Sequence, residues 1–423
     1  MKKLLSLALA LLMLAVMLPV TALADTAAPS WVDDVDFKGA KTVYYYSTYG
    51  GTPYVKTTTD QDLSSHPAVI AYKTSSDSDI AYAADLRAAM MNGASEVFCK
   101  ENATVSTVGA HTNVTKSITI YANNANFGGG DLSIYADGSA NYPAPTEKNV
   151  TISIYNAKNL VVWGEPQNVG RVWNVNFYDC VNEGSNFFMY RGNSDRTDKI
   201  NLFMSNCKAS GYNDSTVHTT ADGTVVIENC EFSNNCAPVN IAHKQSGKIE
   251  VTVRNSSFTN CGKEDQSNDY FAPIRVVNNN EQSQVDVNLA DNTFVGTVGT
   301  NGDILLGDHR TENGVAKPSY GVNATIKTTQ DITVKSGDAN SNASHAVKAN
   351  TTVAATANGR APEIIEQEPT VPGTITIIVP STEETKPAED QKNPTTGAND
   401  LVGVAAAAAV MALLGAAAVL RKK

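Results

Sequence analysis

Charge is scarce in this chain, and basic charge scarcer still. Asp, Glu, Lys and Arg make up 18 % of 423 residues. With Lys2 and Lys3 at one end and Asp400, Arg421, Lys422 and Lys423 at the other set aside, 27 basic groups face 42 acidic ones, a net −15. An acidic body without Lys/Arg clusters argues against nucleic acid and against anionic lipid as partners. The six cysteines (Cys99, Cys180, Cys207, Cys230, Cys236, Cys261) contain no Cys-x-x-Cys pair. No His stands at metal-ligand spacing, so neither metal nor cofactor is expected. Leucine is sparse outside the two ends. Hairpin turns are nearly missing too. Asp222-Gly223 is almost the only well-placed one, which weighs against a sandwich built of hairpins.

What is present is Asn, Thr, Ser and Val, arranged in a repeat. Val225, Ile227, Asn229 and Phe232 line up with Val251, Val253, Asn255 and Phe258. Two apolar residues at period two make a strand with one face inside, the Asn marks a turn, and the Phe re-enters the interior. The frame recurs as Leu202, Met204, Asn206, as Val172, Asn174, Val175, Phe177, and as Val287, Leu289, Asp291, Phe294. Its column is Asn174, Asn206, Asn229, Asn255 and Asp291, at steps of 32, 23, 26 and 36 residues. A fixed frame at variable steps marks a solenoid. A second strand follows each copy, at 187–191, 216–219, 239–243, 274–278 and 304–308. Two or three strands in about 23 residues suit one coil of a parallel β-helix. Stacked at ~4.8 Å, equivalent residues would form an Asn amide ladder and a column of Phe rings. Cys207 and Cys230 fall in one column beside the Asn, with Val175 and Ser256 as neighbours, and read as small buried thiols. Export would nonetheless permit disulfides.

Taken in order, residues 1–24 carry Lys2-Lys3, an apolar run and Ala22-Leu23-Ala24, the pattern of a secretion signal. Residues 25–77 read as a β lead-in rich in tyrosine. Residues 78–94 read as a helix capped by Ser78 or Asp79, covering the open end of the solenoid. Coils occupy 95–352, and a Pro/Glu/Thr-rich linker 353–392. In residues 393–423, Asn393-Pro394-Thr395-Thr396-Gly397 precedes an apolar span at 401–420 and three terminal cations, long enough to cross a bilayer.

That tail resembles the cell-wall sorting signal of Gram-positive surface proteins. The resemblance implies export and anchoring to the wall. A sortase would cut between Thr396 and Gly397 and join Thr396 to the peptidoglycan precursor, with Asn393, Pro394 and Thr395 in the recognised segment. The usual first residue there is Leu, so Asn393 marks a variant class and leaves the sortase open. The membrane is met only through the span. The coils resemble the right-handed parallel β-helix of the pectin-lyase-like superfamily, an all-β fold that includes lyases, hydrolases, esterases, tailspikes and adhesins.

In that fold ligands lie along an outer strand face. Alternation in the second strands points Asn240 and Arg275 outward, with His218 on its own coil and Arg191 and His243 just beyond. This row of Arg191, His218, Asn240, His243 and Arg275 is the candidate site for sugar hydroxyls and carboxylates. No catalytic residue is assigned. Outward carboxylates are few, with Asp303 and Asp308 the nearest pair, and no signature of the superfamily's enzymes is present. The expectation is an adhesin or glycan-binding rod for a host or plant polysaccharide or glycoprotein. The alternatives are a wall-anchored polysaccharide lyase or glycoside hydrolase, and a passive stalk.

Overall fold

The computed structural model describes residues 28–367 apart from 50–51, 60–63, 108–111, 136–137, 139–142, 264–270, 308–309, 313–314, 318–319, 338–341 and 358–364. The chain divides into a compact unit ending at Val371 and a second unit, Pro372–Lys423. The secretion signal, most of the linker, the pentapeptide Asn393–Gly397 and the apolar span lie outside the described residues. Among the described residues no helix is long and apolar enough to cross a membrane.

The first unit is all-β and mostly parallel, consistent with a β-helix solenoid. Each central coil contributes strands to three stacks. The first face runs through Glu96–Cys99, Ile118–Tyr121, Asn149–Tyr155, Val172–Tyr178, Lys199–Ser205, Gly223–Glu228, Lys248–Arg254, Gln284–Ala290 and Val322–Thr328. The second is made of three-residue strands, from Val181–Glu183 through Glu231–Ser233 to Thr293–Val295. The third includes Phe188–Tyr190, Ser215–Thr219, Ala237–His243, Ile274–Asn278 and Ile304–Leu306. Those are the second strands expected from the sequence, to within one or two residues at their ends. One apolar core runs from Ile70 to Val353. Along the first face burial alternates, with Trp173, Val175 and Phe177 inside and their neighbours out.

Two left-handed residues per coil turn the chain. Asn156, Asp179, Asn206, Asn229, Asn255 and Asp291 end first-face strands with φ of 50–55°. Gly184, Gly211, Asn234, Asn260 and Gly296 end second-face strands with φ of 50–72°. Asn and Asp tolerate this conformation, and Gly has no Cβ to oppose it. The frame therefore holds at Asn206, Asn229, Asn255 and Asp291 but not at Asn174. Asn174 pairs with Thr151 and Asn201 in mid-strand, and Asp179 takes the turn. The turns are joined through the backbone, Asn206 N–H to Glu228 O at 3.2 Å and Asn229 N–H to Arg254 O at 3.2 Å. The side chains of Asn206, Asn229 and Asn255 are exposed. The Asn column thus reflects a dihedral requirement, where an amide ladder had been expected.

The residue after each turn points inward. In this column Cys180, not Val175, lies beside Cys207, followed by Cys230, Ser256 and Asn292. All six cysteines are free and buried. Phe232, Phe258 and Phe294 stack as expected, with centroids 5.1 Å apart and interplanar angles of 9° and 12°.

The ends depart from the repeat. The expected helix over 78–94 shortens to α1 (Leu86–Met91), capped by Asp85, whose carboxylate accepts from Ala88 N at 2.7 Å. Ala81–Ala83 is instead a strand between Ile70–Lys73 and Thr42–Tyr49. Ser78 closes a local turn by accepting from Thr74 N. The lead-in contains the antiparallel hairpin Thr42–Tyr49/Thr52–Thr59. At the other end Asn342–Val347 and Thr351–Ala357 pair antiparallel with the last coil strands. Ile365–Gln367 adds another, so folded structure reaches into the segment expected as linker.

Candidate functional site

The register brings three of the five sequence-derived residues into one third-face column, His218 beside Asn240 and Asn240 beside Arg275. Their alternation is as expected, but their exposure is not. Asn240 is 3 % exposed and Arg275 2 %. Arg275 Nη1 donates to Asn240 Oδ1 at 2.6 Å, and Asn240 Nδ2 to Ser215 Oγ at 2.7 Å, a polar ladder under the surface. His243 is fully buried and bonded through Nε2 to Asp222 Oδ1 at 2.8 Å. Asp222 also accepts from Gly247 N, which makes this pair part of a corner joining coils. Arg191 is exposed, on the coil before His218. His218 is half-buried. Burial, then the cations Arg275, Arg191 and Lys244, push its imidazole from 6.5 down to about 3. A surface ligand therefore reaches Arg191 and the edge of His218, while Asn240, His243 and Arg275 lie beneath. Asp303, half of the nearest carboxylate pair, is occupied by Thr297 Oγ1 and Thr333 N, and Asp308 lies outside the described residues.

A second polar surface is the outer side of the first face. Its last outward column holds Tyr121, Tyr155 and Tyr178 in register. Tyr121 and Tyr155 stack at 5.2 Å and 10°, Tyr155 and Tyr178 at 4.7 Å and 8°, and Phe203, in the neighbouring outward column beside Asn176, packs on Tyr178 at 5.5 Å with a 47° tilt. Beside the rings run amides and hydroxyls. Asn201 Nδ2 donates to Asn174 Oδ1 at 2.9 Å, Asn174 Nδ2 to Thr151 Oγ1 at 3.5 Å, and Asn176 Nδ2 to Ser153 Oγ at 3.2 Å. One of these is an amide-to-amide bond, Asn201 to Asn174, and it lies on a strand face and not at the turns. Most of these residues are half-buried, and Tyr155 is 9 % exposed. Burial raises the phenols of Tyr155 and Tyr178, so both stay protonated and can donate. Further along, the strip gives way to charge, with Arg254 Nε on Glu228 Oε2 at 2.9 Å.

This strip left a signal in the sequence that the turn-centred frame passed over. Ile118-Thr-Ile-Tyr121, Ile152-Ser-Ile-Tyr155 and Val175-Asn-Phe-Tyr178 share one pattern, apolar, polar, apolar, Tyr. The second face carries a shallow groove of about 250 Å³ between Glu183, Ser210 and Thr259, crossed by the Lys208–Glu231 ion pair at 3.0 Å. It is smaller than a typical ligand cleft. Among the described residues no group of acidic, His and Cys side chains is arranged to hold a metal ion. Compared with family models, curated proteins and solved structures, the chain matches none.

Proposed function

We propose that this chain is an exported, sortase-anchored surface protein of a Gram-positive bacterium, and that its right-handed, pectin-lyase-like β-helix binds glycan along the outer side of the first face. The observation that supports the binding reading is the ordered strip of Tyr121, Tyr155, Tyr178 and Phe203 beside the Asn/Thr/Ser ladder. Aromatic surface next to fixed amides and hydroxyls offers a sugar both an apolar contact and directional hydrogen bonds. Because the rings stack on one another, they present edges and hydroxyls outward, and each sugar contact is weak. Many copies tethered to one wall would supply the avidity.

The test is retention of the protein on a glycan array, with Tyr155→Ser, Tyr178→Ser and Asn201→Ala as probes. Each should lower affinity about tenfold, ~1.4 kcal/mol; Tyr155→Ser, at a 9 % exposed ring stacked on both sides, should lower the melting temperature as well. Retention that survives all three puts the site on another face. The tail has its own test. Thr396→Ala should move the protein from the muramidase-released wall fraction to the membrane and medium; unchanged wall linkage would discard the sorting signal.

A lyase or hydrolase remains the alternative. Two features weigh toward binding. A general base works best with a pKa near the operating pH, and His218 is held near 3. Asp303 is committed to two structural bonds. Turnover of a uronate polymer by the purified protein would reverse this preference.

A further inference from the structure

At the C-terminal end of the stack the three faces do not stop together. The first face goes on from Gln284–Ala290 to Val322–Thr328, and the third from Ile304–Leu306 to Ile332–Gly337. Among the described residues the second face ends earlier, at Thr293–Val295. In that coil the crossing from first to third face runs from Ala290 to Ile304 and holds the second-face strand. In the next coil it runs from Thr328 to Ile332 through residues 329–331 alone, too short to hold one. An edge strand leaves N–H and C=O groups without a ladder partner. Thr293 N–H donates to Ser256 O at 2.9 Å and Asn260 N–H to Val295 O at 2.8 Å, so these two residues bond back to the coil of Ser257–Thr259. The N–H and C=O of Phe294, between them, therefore face the open edge. Phe294 is 8 % exposed, and an unpaired backbone group there is costly.

Gln330, in the short crossing, takes both groups. Its Oε1 accepts from Phe294 N–H at 3.3 Å, and its Nε2 donates to Phe294 O at 2.9 Å. A carboxylate offers only acceptors and an ammonium only donors, whereas a primary amide carries one of each, as a peptide group does. The backbone beneath this side chain is fixed as well. Thr328 Oγ1 accepts from Gln330 N–H at 3.2 Å and donates to Gln330 O at 2.8 Å. Under the cap lies the last ring of the Phe column, Phe294 on Phe258. We propose that Gln330 is a surrogate strand. Its side-chain amide stands in for the peptide group of the strand that this coil omits, ends the second face at Phe294, and pins the shortened crossing to the coil before it. The edge that would otherwise be open to an added strand is thereby closed by one side chain. The assignment is independent of the glycan strip, which lies on the first face.

The test is native-state hydrogen exchange on the full chain, read at single amides. In the wild-type protein the Phe294 amide should be protected, as the Phe258 amide one coil further in is. Gln330→Met keeps the length of the side chain and removes its amide. In that variant Phe294 should exchange about tenfold faster, with Phe258 unchanged. A wild-type Phe294 amide that exchanges as fast as an unstructured one overturns the proposal. So does equal protection of Phe294 in wild type and Gln330→Met, which would mean that packing alone closes the edge. Because the wild-type protein carries the first measurement, a Gln330→Met chain that fails to fold does not rescue the idea.

Discussion

At the scale of single residues, position on the coil decides chemistry more than residue type does. His218 is half-buried among cations, and its imidazole is held down to about 3 against an ordinary 6.5. The sign of the stability effect follows. Above about 6.5 the group is neutral whether folded or unfolded, and its contribution is complete. As pH falls from there toward about 3, the unfolded chain takes up a proton that the folded one refuses, and stability is lost. The full shift corresponds to at most about 5 kcal/mol, and the solvent contact that the side chain keeps makes the loss smaller. In urea melts across that range wild type should lose stability relative to His218→Gln as pH falls; parallel curves would show that the imidazole titrates normally. The cysteines obey the same logic of burial. Desolvation pushes the Cys207 thiol well above its ordinary value, and the neighbouring Cys180 and Cys230 add to it. A thiol reacts as the thiolate. All six are buried, so all should resist a disulfide reagent in the folded protein and react together on unfolding. Rapid labelling of Cys180, Cys207 or Cys230 under native conditions would show that this column opens.

At the scale of the coil, the turns carry the specification. A non-glycine residue in the left-handed region costs roughly 1–2 kcal/mol, and Asn lessens that cost. Asn229→Ala or Asn255→Ala should destabilise by about 1 kcal/mol, while Gly at either site should be nearly neutral. An equal loss for Ala and Gly would mean that the side chain, not φ, matters there. This also shows how far the sequence could be read. The frame was legible where turn and strand repeat together, as in Val225–Phe232 and Val251–Phe258. It slipped at Asn174, because Val175-Asn176-Phe177 mimics a strand followed by a Phe, and only the register with Lys199–Ser205 exposes the shift to Asp179. The helix was read too long because the pattern through Ile80, Ala83 and Ala84 also suits a strand, and pairing with the Thr42–Tyr49 hairpin decided the matter. For His218, Asn240 and Arg275, alternation correctly assigned a common column. Alternation says nothing about what lies over an outward side chain, so burial of Asn240 and Arg275 was invisible to it. The tyrosine strip is written in the sequence as apolar, polar, apolar, Tyr, at a column outside the turn-centred frame.

At the scale of the whole folded unit, a stack of near-identical coils has no internal reason to stop. Each parallel coil leaves one unpaired strand and one open layer of core for the next, and an uncovered edge invites another chain. The molecule ends its stack by changing strand direction. Asn342–Val347 and Thr351–Ala357 run antiparallel to Ile332–Gly337 and Val322–Thr328, and bring Val347 and Val353 into the core, 2 % and 1 % exposed. At the opposite end α1 and the Thr42–Thr59 hairpin close the first coil, with Leu86, Ala88 and Ala89 fully buried. If these segments act as stoppers, a chain shortened to end before Asn342 bares two strand edges and the apolar residues beneath them. Such a protein should keep most of its β signal by circular dichroism, because the remaining coils still satisfy one another. It should also associate with rising concentration in sedimentation velocity, where the full chain does not. A shortened chain that stays monomeric with an unchanged melting temperature would show that the final antiparallel strands add nothing to closure, and that the last parallel coil protects its own edge.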